Sequence, residues 1–352
     1  MNTDFLRFGI SNACNKMAEM LYFNLGIDRT RPVQLYGIVN YACNARCLMC
    51  SCWQQENVQE LPASVWINAL KSLKKTGGLF HINFSGGEPL VKHDFIEILE
   101  FCSREKILAG FTTNGVLLTK KNVDRLLSLD LANINISIDS MEERIHDTMR
   151  GIPGLLAKVK KNIEYLVSEK KRLNKKTQIV LKPTVGAYNL KGLDRIVEYA
   201  ENMQLTGVNF QPVFKWTPKA EKMFKIDSRE LEDTINLLVR MKKQNRSILN
   251  SPEALRNWRF HFEDTIPIKN TPCSVALRNL TIFPDGSIFL CVLRDAKIGN
   301  IEVDDIGKVW REKRVRELRK ELVNCKRICS ASCDVKRSWI DYFNLFMRFL
   351  RG

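Results

Sequence analysis

Short apolar segments alternate with longer amphipathic segments over residues 33–214, and this alternation restricts the chain to few folds. Such an order is typical of repeated strand-helix units that build a parallel sheet. The predicted strands cover residues 33–39, 81–84, 108–112, 133–138, 178–183 and 208–213. Apolar spacings of three and four predict helices over residues 63–75, 94–105, 121–127, 155–170 and 193–202. Six units predict an α/β fold, a partial TIM-like barrel whose ligands collect at the carboxyl ends of the strands.

The composition is that of a globular protein with an excess of positive charge. The chain has 352 residues, of which 45% are hydrophobic and 27% are charged, so it can bury a substantial core. No run of about 18 apolar residues is present, which argues against a spanning helix and favours a cytoplasmic location. The net charge of +16 favours an anionic partner such as phosphate, nucleic acid or an acidic membrane surface, or else reflects a solvated basic surface.

Three of the eleven cysteines, Cys43, Cys47 and Cys50, form a CxxxCxxC loop after the first predicted strand. Structural zinc sites and electron-transfer iron-sulfur clusters usually take four protein ligands. A 4Fe-4S cluster with only three thiolates keeps one iron open for a substrate or cofactor. Cys52 is predicted not to be a ligand, because a free cysteine commonly acts as a small hydrophobe. The alternative is a zinc knuckle, which requires a nearby His or Cys, and residues 53–80 contain neither.

Short polar motifs follow the next strands in order. Gly86, Gly87, Glu88 and Pro89 form a GGEP segment after the second strand, and Asn114 lies at the end of the third. The predicted fourth strand carries two further polar residues, and an HDxxRG-like segment comes after it. Strand alternation places Ser137 and Asp139 on one face of the fourth strand, and the HDxxRG-like segment contains His146, Asp147 and Arg150.

This arrangement resembles the radical S-adenosylmethionine (SAM) superfamily over about residues 32–213. The resemblance implies a partial (β/α)6 barrel in which the three cysteines hold a 4Fe-4S cluster and SAM binds beside it. The residue before the third cysteine, often aromatic in the family, is Met49 here, which weakens stacking near adenine. The resemblance assigns cofactor contacts to Gly86, Gly87, Glu88, Pro89, Asn114, Ser137, Asp139 and Arg150.

Five further cysteines occupy the C-terminal region, where a short hairpin with a turn at residues 284–286 is predicted. Cys273 and Cys291 bracket this hairpin, and Cys325, Cys329 and Cys333 follow it. The pattern resembles the SPASM and twitch extensions of radical SAM enzymes, which hold auxiliary 4Fe-4S clusters. Because a full SPASM domain has about seven cysteines, we predict one auxiliary cluster, held by Cys273, Cys291 and two of the last three, with Cys325 and either Cys329 or Cys333 favoured. A zinc ribbon is the alternative, and Cys14 and Cys102 are predicted to be core thiols.

These motifs divide the chain into five predicted parts. They are an amphipathic helical segment at 1–32, the barrel at 33–214, linker and helices at 215–269, the auxiliary-cluster domain at 270–335, and an amphipathic helix at 336–352. A helix over the last part carries aromatic residues on one face and arginines opposite. That helix suits peripheral membrane contact, and docking onto the protein's own surface explains it equally well.

The resemblance implies that one electron cleaves SAM to methionine and a 5'-deoxyadenosyl radical, which abstracts hydrogen from a substrate. We expect a peptide substrate first, with a carbohydrate, cyclitol or lipid-linked small molecule as the alternative. An electron passing to the auxiliary cluster makes the outcome an oxidation, and flavodoxin or ferredoxin is the expected reductant. No catalytic residue is assigned; His261, Glu263 and Asp295 are the nearest candidates for a general base. A zinc-stabilised nucleic-acid-binding protein is the non-enzyme alternative, and no nucleic acid partner is expected.

Overall fold

The computed structural model describes residues 3–55, 58–263 and 272–325. The strands are β1 (Gln34–Ile38), β2 (His81–Ser85), β3 (Leu108–Thr113), β4 (Asn133–Ile136), β5 (Gln178–Leu181), β6 (Thr184–Val185), β7 (Gly207–Val208), β8 (Gln211–Pro212), β9 (Asn279–Ile282), β10 (Ser287–Phe289) and β11 (Lys297–Asn300). The helices are α1 (Thr3–Leu25), α2 (Ala63–Gly77), α3 (Phe95–Arg104), α4 (Lys120–Ser128), α5 (Glu143–Arg150), α6 (Leu155–Arg172), α7 (Leu193–Asn202), α8 (Pro218–Met223), α9 (Ser228–Lys243), α10 (Pro252–Arg256), α11 (Trp258–Phe262), α12 (Ile306–Val309) and α13 (Lys313–Val323).

One nine-stranded sheet organises the described residues, in the order β11-β10-β9-β1-β2-β3-β4-β5-β7. The pairs from β9 to β7 are parallel, and β10 and β11 are antiparallel to their neighbours. The parallel pairing of β1 to β5 confirms the strand-helix alternation read from the sequence. Within these residues no pairing joins β7 to β11, so the sheet stays open.

The two faces of the sheet differ in polarity. Phe84, Phe111 and Ile134 lie side by side in register and are fully buried. Phe95 of α3 packs edge-on between the rings of Phe84 and Phe111, which ties the helix layer to this face. Positions one residue away carry polar side chains instead: the amide of Asn83 donates to Thr112 Oγ1 at 3.1 Å. The helices therefore cover the apolar face of the sheet, and the polar side chains lie on the opposite face.

The sixth predicted strand, 208–213, is divided in the structure. Residues 207–208 pair with β5, whereas residues 211–212 pair with β6 in a separate two-stranded sheet. In the C-terminal part, α12 ends at Val309 and α13 begins at Lys313, with Trp310 between the two helices. The Trp310 ring is buried, and its Nε1 donates to the carbonyl oxygen of Thr30 at 2.9 Å.

The predicted C-terminal hairpin is present and is continuous with the main sheet. β9 pairs in parallel with β1, and Gly286 forms the turn into β10 with a positive φ of 81°. The pairing satisfies the backbone groups of β1 on the side away from β2, which would otherwise form an open edge.

α1 confirms a helix in the predicted N-terminal segment and docks through its polar side chains. Asn15 Nδ2 contacts the carbonyl oxygen of Leu277 at 3.4 Å, and Glu19 pairs with Arg278 at 3.4 Å. The prediction that Cys14 is a core thiol is wrong, because Cys14 is exposed on this helix. Cys102 is buried as predicted. No described helix is long and apolar enough to cross a membrane.

Candidate active site

The cysteine loop begins directly after β1, at the carboxyl end of the parallel sheet. Cys47 is buried, and Cys43 and Cys50 are half-buried. Each sulfur has one nearby N–H donor: the Ala45 amide at 3.4 Å from Cys43, the Cys52 amide at 3.5 Å from Cys50, and Arg150 Nη1 at 4.0 Å from Cys47. Donors of this kind stabilise thiolates, the form in which cysteine binds metal.

The GGEP segment is bound to the backbone that leads into the cysteine loop. The Gly87 amide donates to Asn40 O at 2.8 Å, and the Glu88 amide donates to Ala42 O at 2.9 Å. Asn40 Nδ2 in turn donates to the carbonyl oxygen of Glu88 at 2.9 Å. These bonds fix the entry to the loop against the end of β2.

The two glycines are required by this close approach. A Cβ at Gly86 would lie 2.4 Å from Asn40 O, and a Cβ at Gly87 would lie 2.2 Å from Ala42 O. Both contacts are with backbone atoms, so no side-chain movement could relieve them. The glycines predicted to admit a ligand thus have a demonstrated role in packing against the cysteine loop, and their contact with SAM stays a prediction.

Glu88 is fully buried and uses both carboxylate oxygens within the protein. Oε1 accepts from Thr113 Oγ1 at 2.8 Å, and Oε2 accepts from the Asn114 amide at 2.8 Å. Burial raises the pKa of Glu88 to about 7, and these hydrogen bonds oppose that rise. Glu88 therefore joins the end of β2 to the end of β3. Pro89 is buried and starts a short 3-10 turn.

Asp139 and Arg150 form a buried ion pair beside the cysteines. Arg150 Nε lies 2.5 Å from Asp139 Oδ2, and Nη2 lies 2.7 Å from Oδ1. The Thr184 amide also donates to Oδ1 at 2.8 Å. Asp139 lies beyond the end of β4, whereas the sequence placed it within the strand. Arg150 thus pairs with Asp139 and directs Nη1 at Cys47, and its predicted contact with SAM stays a prediction.

The end of α5 holds the middle of the cysteine loop. The Arg46 amide donates to Arg150 O at 3.2 Å, and the Leu48 amide donates to Met149 O at 2.9 Å. Gly151 ends the helix at a φ of 69°, and a Cβ there would lie 2.6 Å from Arg46 O. The HDxxRG-like segment is therefore part of the loop's support.

Asn114 and His146 lie close to the same support. Asn114 Nδ2 donates to Asn44 Oδ1 at 2.7 Å, so the predicted cofactor residue contacts the cysteine loop directly. His146 is buried, and its Nδ1 accepts from the Asp139 amide at 3.1 Å. Burial lowers the pKa of His146 to about 4, which keeps the ring neutral. Its Nε2 has no partner within the described residues.

Lys182 is a candidate site residue that sequence reasoning missed. Leu181 pairs with Ile136, and the Lys182 amide continues the ladder to Ile136 O at 2.8 Å, which places Lys182 beside Ser137. The side chain is half-buried, burial lowers its pKa, and its ammonium makes no hydrogen bond or ion pair within the described ranges. A lysine at the carboxyl end of a barrel strand was the available signal.

An aromatic pair at the same end of the sheet was also missed. Trp216 is 62% exposed and stacks on Phe214 with ring centroids 5.1 Å apart. Thr217 Oγ1 donates to Leu48 O at 2.7 Å, which ties this segment to the cysteine loop. An exposed aromatic face next to a reaction centre is suited to contact with a substrate.

The proposed general bases do not converge on the loop through any described contact. His261 Nε2 lies 2.7 Å from Val213 O and its ring packs against Phe214 and Phe224. Glu263 and Asp295 are exposed. These three assignments stay predictions.

The loop offers thiol sulfurs, which are the donors that iron-sulfur clusters take in proteins. Across the described ranges, no three His, Cys, Asp or Glu side chains are spaced to hold one metal ion. Burial raises the pKa of Cys43 to about 11 and also raises that of Cys47, so metal binding would replace protons on these sulfurs.

The C-terminal cysteines are partly brought together. The Cys273 amide donates to Val323 O at 2.9 Å, which brings Cys273 near the segment that ends at Cys325. Cys291 lies at the end of the hairpin and is half-buried. Cys329 and Cys333, like the predicted helix over 336–352, lie outside the described residues. The choice among the last three cysteines therefore stays open.

Comparison with known proteins decides the family. The profile of the Radical SAM superfamily matches residues 38–201, which include the cysteine loop and the motifs that support it. This part of the chain is a radical SAM domain. A second profile, SPASM, described as an iron-sulfur cluster-binding domain, matches residues 273–334 and so includes the five C-terminal cysteines.

Two curated relatives share part of the sequence. Mycofactocin maturase MftC of Mycolicibacterium smegmatis is 30% identical over 130 residues, which are 37% of this chain and 32% of the relative. The PqqA peptide cyclase of Methylocella silvestris is 27% identical over 137 residues, 38% of this chain and 36% of the relative. The chain thus spans about a third of the length of these relatives.

A solved structure shares the fold of this chain. Streptococcus suis SuiB, determined with its precursor peptide SuiA, matches with a TM-score of 0.67 at 16% identity, over 92% of this chain and 79% of SuiB. The match confirms the predicted α/β architecture. With a radical SAM domain and a SPASM domain, the protein has a 4Fe-4S cluster and SAM as cofactors and an auxiliary iron-sulfur cluster. The zinc-based alternatives are therefore set aside.

Proposed function

We propose that this protein cleaves SAM reductively and uses the resulting radical to modify a peptide. The observation that carries the proposal is the three-cysteine loop, fixed at the carboxyl end of the parallel sheet by the GGEP segment and by the end of α5. When bound, the cluster and SAM supply a 5'-deoxyadenosyl radical that abstracts hydrogen. The protein's own residues position the loop, the cofactor and the substrate.

We assign the cluster to Cys43, Cys47 and Cys50. Arg150 neutralises the negative charge that the thiolates bring into a buried site, while Asp139 orients the guanidinium. Ser137 and Lys182 lie side by side at the end of the sheet and suit the carboxylate of SAM, since one offers a hydroxyl and the other an uncommitted ammonium. Glu88 acts as a positioning residue beneath this site.

A peptide substrate is supported by the named substrates of similar proteins. The PqqA peptide cyclase and SuiB with SuiA are named for peptides, although the first alignment covers only 38% of this chain and the second likeness concerns the fold. The exposed Phe214–Trp216 pair is suited to side chains of a peptide. A carbohydrate, cyclitol or lipid-linked small molecule stays the alternative substrate.

The auxiliary cluster favours an oxidation. Cys273, Cys291 and later cysteines would hold this cluster, which would supply an acceptor for an electron from the substrate and so make the enzyme an oxidoreductase. Flavodoxin or ferredoxin remains the proposed reductant, and the proposed peripheral membrane contact rests on residues 336–352.

The test is anaerobic turnover of the reconstituted protein with SAM, dithionite and peptides encoded beside its gene. We expect one peptide to accelerate 5'-deoxyadenosine formation and to lose two hydrogen atoms. The Trp216→Ala variant is expected to raise the KM for that peptide about tenfold while cleaving SAM without peptide at the wild-type rate. Val303→Ala, at a position 82% exposed elsewhere on the surface, is the matched control. Acceleration by a carbohydrate and by no peptide would establish the alternative.

A further inference from the structure

A cavity lies at the opposite end of the sheet from the cysteine loop. Its volume is about 600 Å³, and it is bounded by the segment before β1, the end of α2 and the region of α12 and α13. Residues before β1 lie at the amino end of the strand, whereas the cysteine loop follows its carboxyl end. The cavity is therefore separate from the site of radical chemistry.

The charge of this cavity is strongly positive. Its charged lining consists of one acid and five arginines: Asp28, Arg29, Arg31, Arg311, Arg316 and Arg319. Asp28 Oδ2 accepts from Arg319 at 2.6 Å, and its Oδ1 accepts from Thr30, so the acid is already used. Four guanidinium groups remain without a carboxylate in the cavity.

Some arginines of the lining are held by other protein groups, and others are free to bind a ligand. Arg319 is almost fully buried, lies over the Trp310 ring at 4.5 Å and donates to Trp310 O at 2.8 Å. Arg31 donates to Ser11 Oγ at 2.8 Å, and Arg311 donates to Thr76 O at 3.0 Å. The guanidinium groups of Arg29 and Arg316 make no hydrogen bond or ion pair with any described residue, and both residues are exposed. A fixed positive floor with two uncommitted guanidinium groups is preorganised for an anion.

We propose that this cavity binds a small polyanion that carries two or more linked phosphate groups. The planar guanidinium fork matches phosphate oxygens in pairs, and a cavity of about 600 Å³ is larger than one phosphate requires. Among the described residues that line the cavity, the only aromatic ring is that of Trp310, which is 2% exposed and covered by Arg319, so these residues offer no free ring for base stacking. Recognition is therefore through phosphate, whether it belongs to an inorganic chain or to a nucleotide.

Binding would link three parts of the chain. The lining comes from the α1–β1 connection, from α2 and from the segment that precedes Cys325. A polyanion held among them favours the folded arrangement of the C-terminal domain on the sheet. The excess charge of the chain, +16 overall, thus has one local site where it is concentrated.

The experiment uses the full, anaerobically reconstituted protein at about 50 mM salt, where screening is modest. Tripolyphosphate and ATP are titrated separately, with the melting temperature and calorimetric affinity as readouts. The test variant is Arg29→Gln/Arg316→Gln, which breaks no contact within the described residues. The matched control is Arg229→Gln/Arg240→Gln on α9, which removes the same charge from exposed positions outside the cavity.

We expect tripolyphosphate to raise the melting temperature of the wild type and of the control. Its affinity should fall about tenfold or more in the test variant, because two guanidinium groups that can bind phosphate oxygens are removed. Equal affinity for ATP assigns recognition to the phosphates alone, and tighter ATP binding identifies a nucleotide. Equal loss in test and control variants shows non-specific attraction and overturns the proposal, as does the absence of any binding to the wild type. The radical chemistry is unaffected by either result.

Discussion

Arg150 holds both carboxylate oxygens of Asp139, at 2.5 and 2.7 Å, while its Nη1 lies 4.0 Å from Cys47 Sγ. One side chain therefore connects the end of β4 to the sulfur of a predicted cluster ligand. Asp139→Asn keeps the shape and removes the charge, which leaves a buried cation unpaired. We expect a loss of about 3–5 kcal/mol in the free energy of unfolding, measured by denaturant titration, together with reduced iron content.

The exposed pair Arg195–Glu142, at 3.0 Å, is the matched control for this ion pair. Arg195→Gln is expected to change the free energy of unfolding by less than about 1 kcal/mol, because exposed ion pairs contribute little. An Asp139→Asn protein as stable as the Arg195→Gln protein would contradict the supporting role given to Asp139.

The raised pKa of Glu88 predicts that the stability of the folded protein depends on pH. Its pKa is about 7 in the folded protein and 4.5 ordinarily, so between these values the folded state binds more protons than the unfolded state. The contribution of Glu88 to stability is therefore complete below about pH 4.5 and declines as pH rises to about 7, by about 3 kcal/mol in total. Melting temperatures from about pH 5 to 8 measure this slope, and Glu88→Gln should flatten it. An unchanged slope in Glu88→Gln would place the titration elsewhere.

Gly87→Ala tests the packing beneath the cysteine loop. The new Cβ would lie 2.2 Å from Ala42 O and 2.4 Å from Tyr41 O, and both are backbone atoms. We expect a destabilisation of about 3 kcal/mol or more and loss of the catalytic cluster, measured by unfolding and by iron counting. Gly9→Ala is the control: it has no neighbour within 4 Å and lies in α1, so it should stabilise the protein by about 0.5–1 kcal/mol. Similar iron contents for the two variants would refute this role of Gly87.

Lys182→Met tests the residue beside Ser137. We expect the affinity for SAM to fall about tenfold with unchanged iron content, because the variant removes one charge and leaves the thiols intact. Lys158→Met, at an exposed position on α6, controls for the loss of charge. Calorimetry with SAM on the anaerobic proteins gives the two affinities. If both variants bind SAM as the wild type does, Lys182 has no part in cofactor binding.

Much of this site could be predicted from the order of motifs along the chain. The cysteines and the GGEP segment follow consecutive strands, and parallel strands bring their carboxyl ends together. Asp139 was placed on a strand, however, because alternation cannot show that β4 ends at Ile136. The pairing of Asp139 with Arg150 was not predicted either, because it depends on how α5 is placed against the cysteine loop.

The C-terminal part was harder to predict for a related reason. The hairpin was recognised from its turn, but nothing local in residues 279–282 indicates that they pair with β1. The separation of α12 from α13 lies at Trp310, whose ring donates a hydrogen bond to the distant Thr30 O. Cys14 was misjudged because a polar face of α1, not its apolar face, docks on the protein.

The most direct test of the central claim is iron counting with a 5'-deoxyadenosine assay on the Cys43→Ala/Cys47→Ala/Cys50→Ala protein, with Cys52→Ala as control. The account predicts that about eight irons in the wild type and in Cys52→Ala fall to about four in the triple variant, with loss of SAM cleavage. Retained SAM cleavage in the triple variant, or bound zinc with no cleavage in the wild type, would contradict the assignment of this loop.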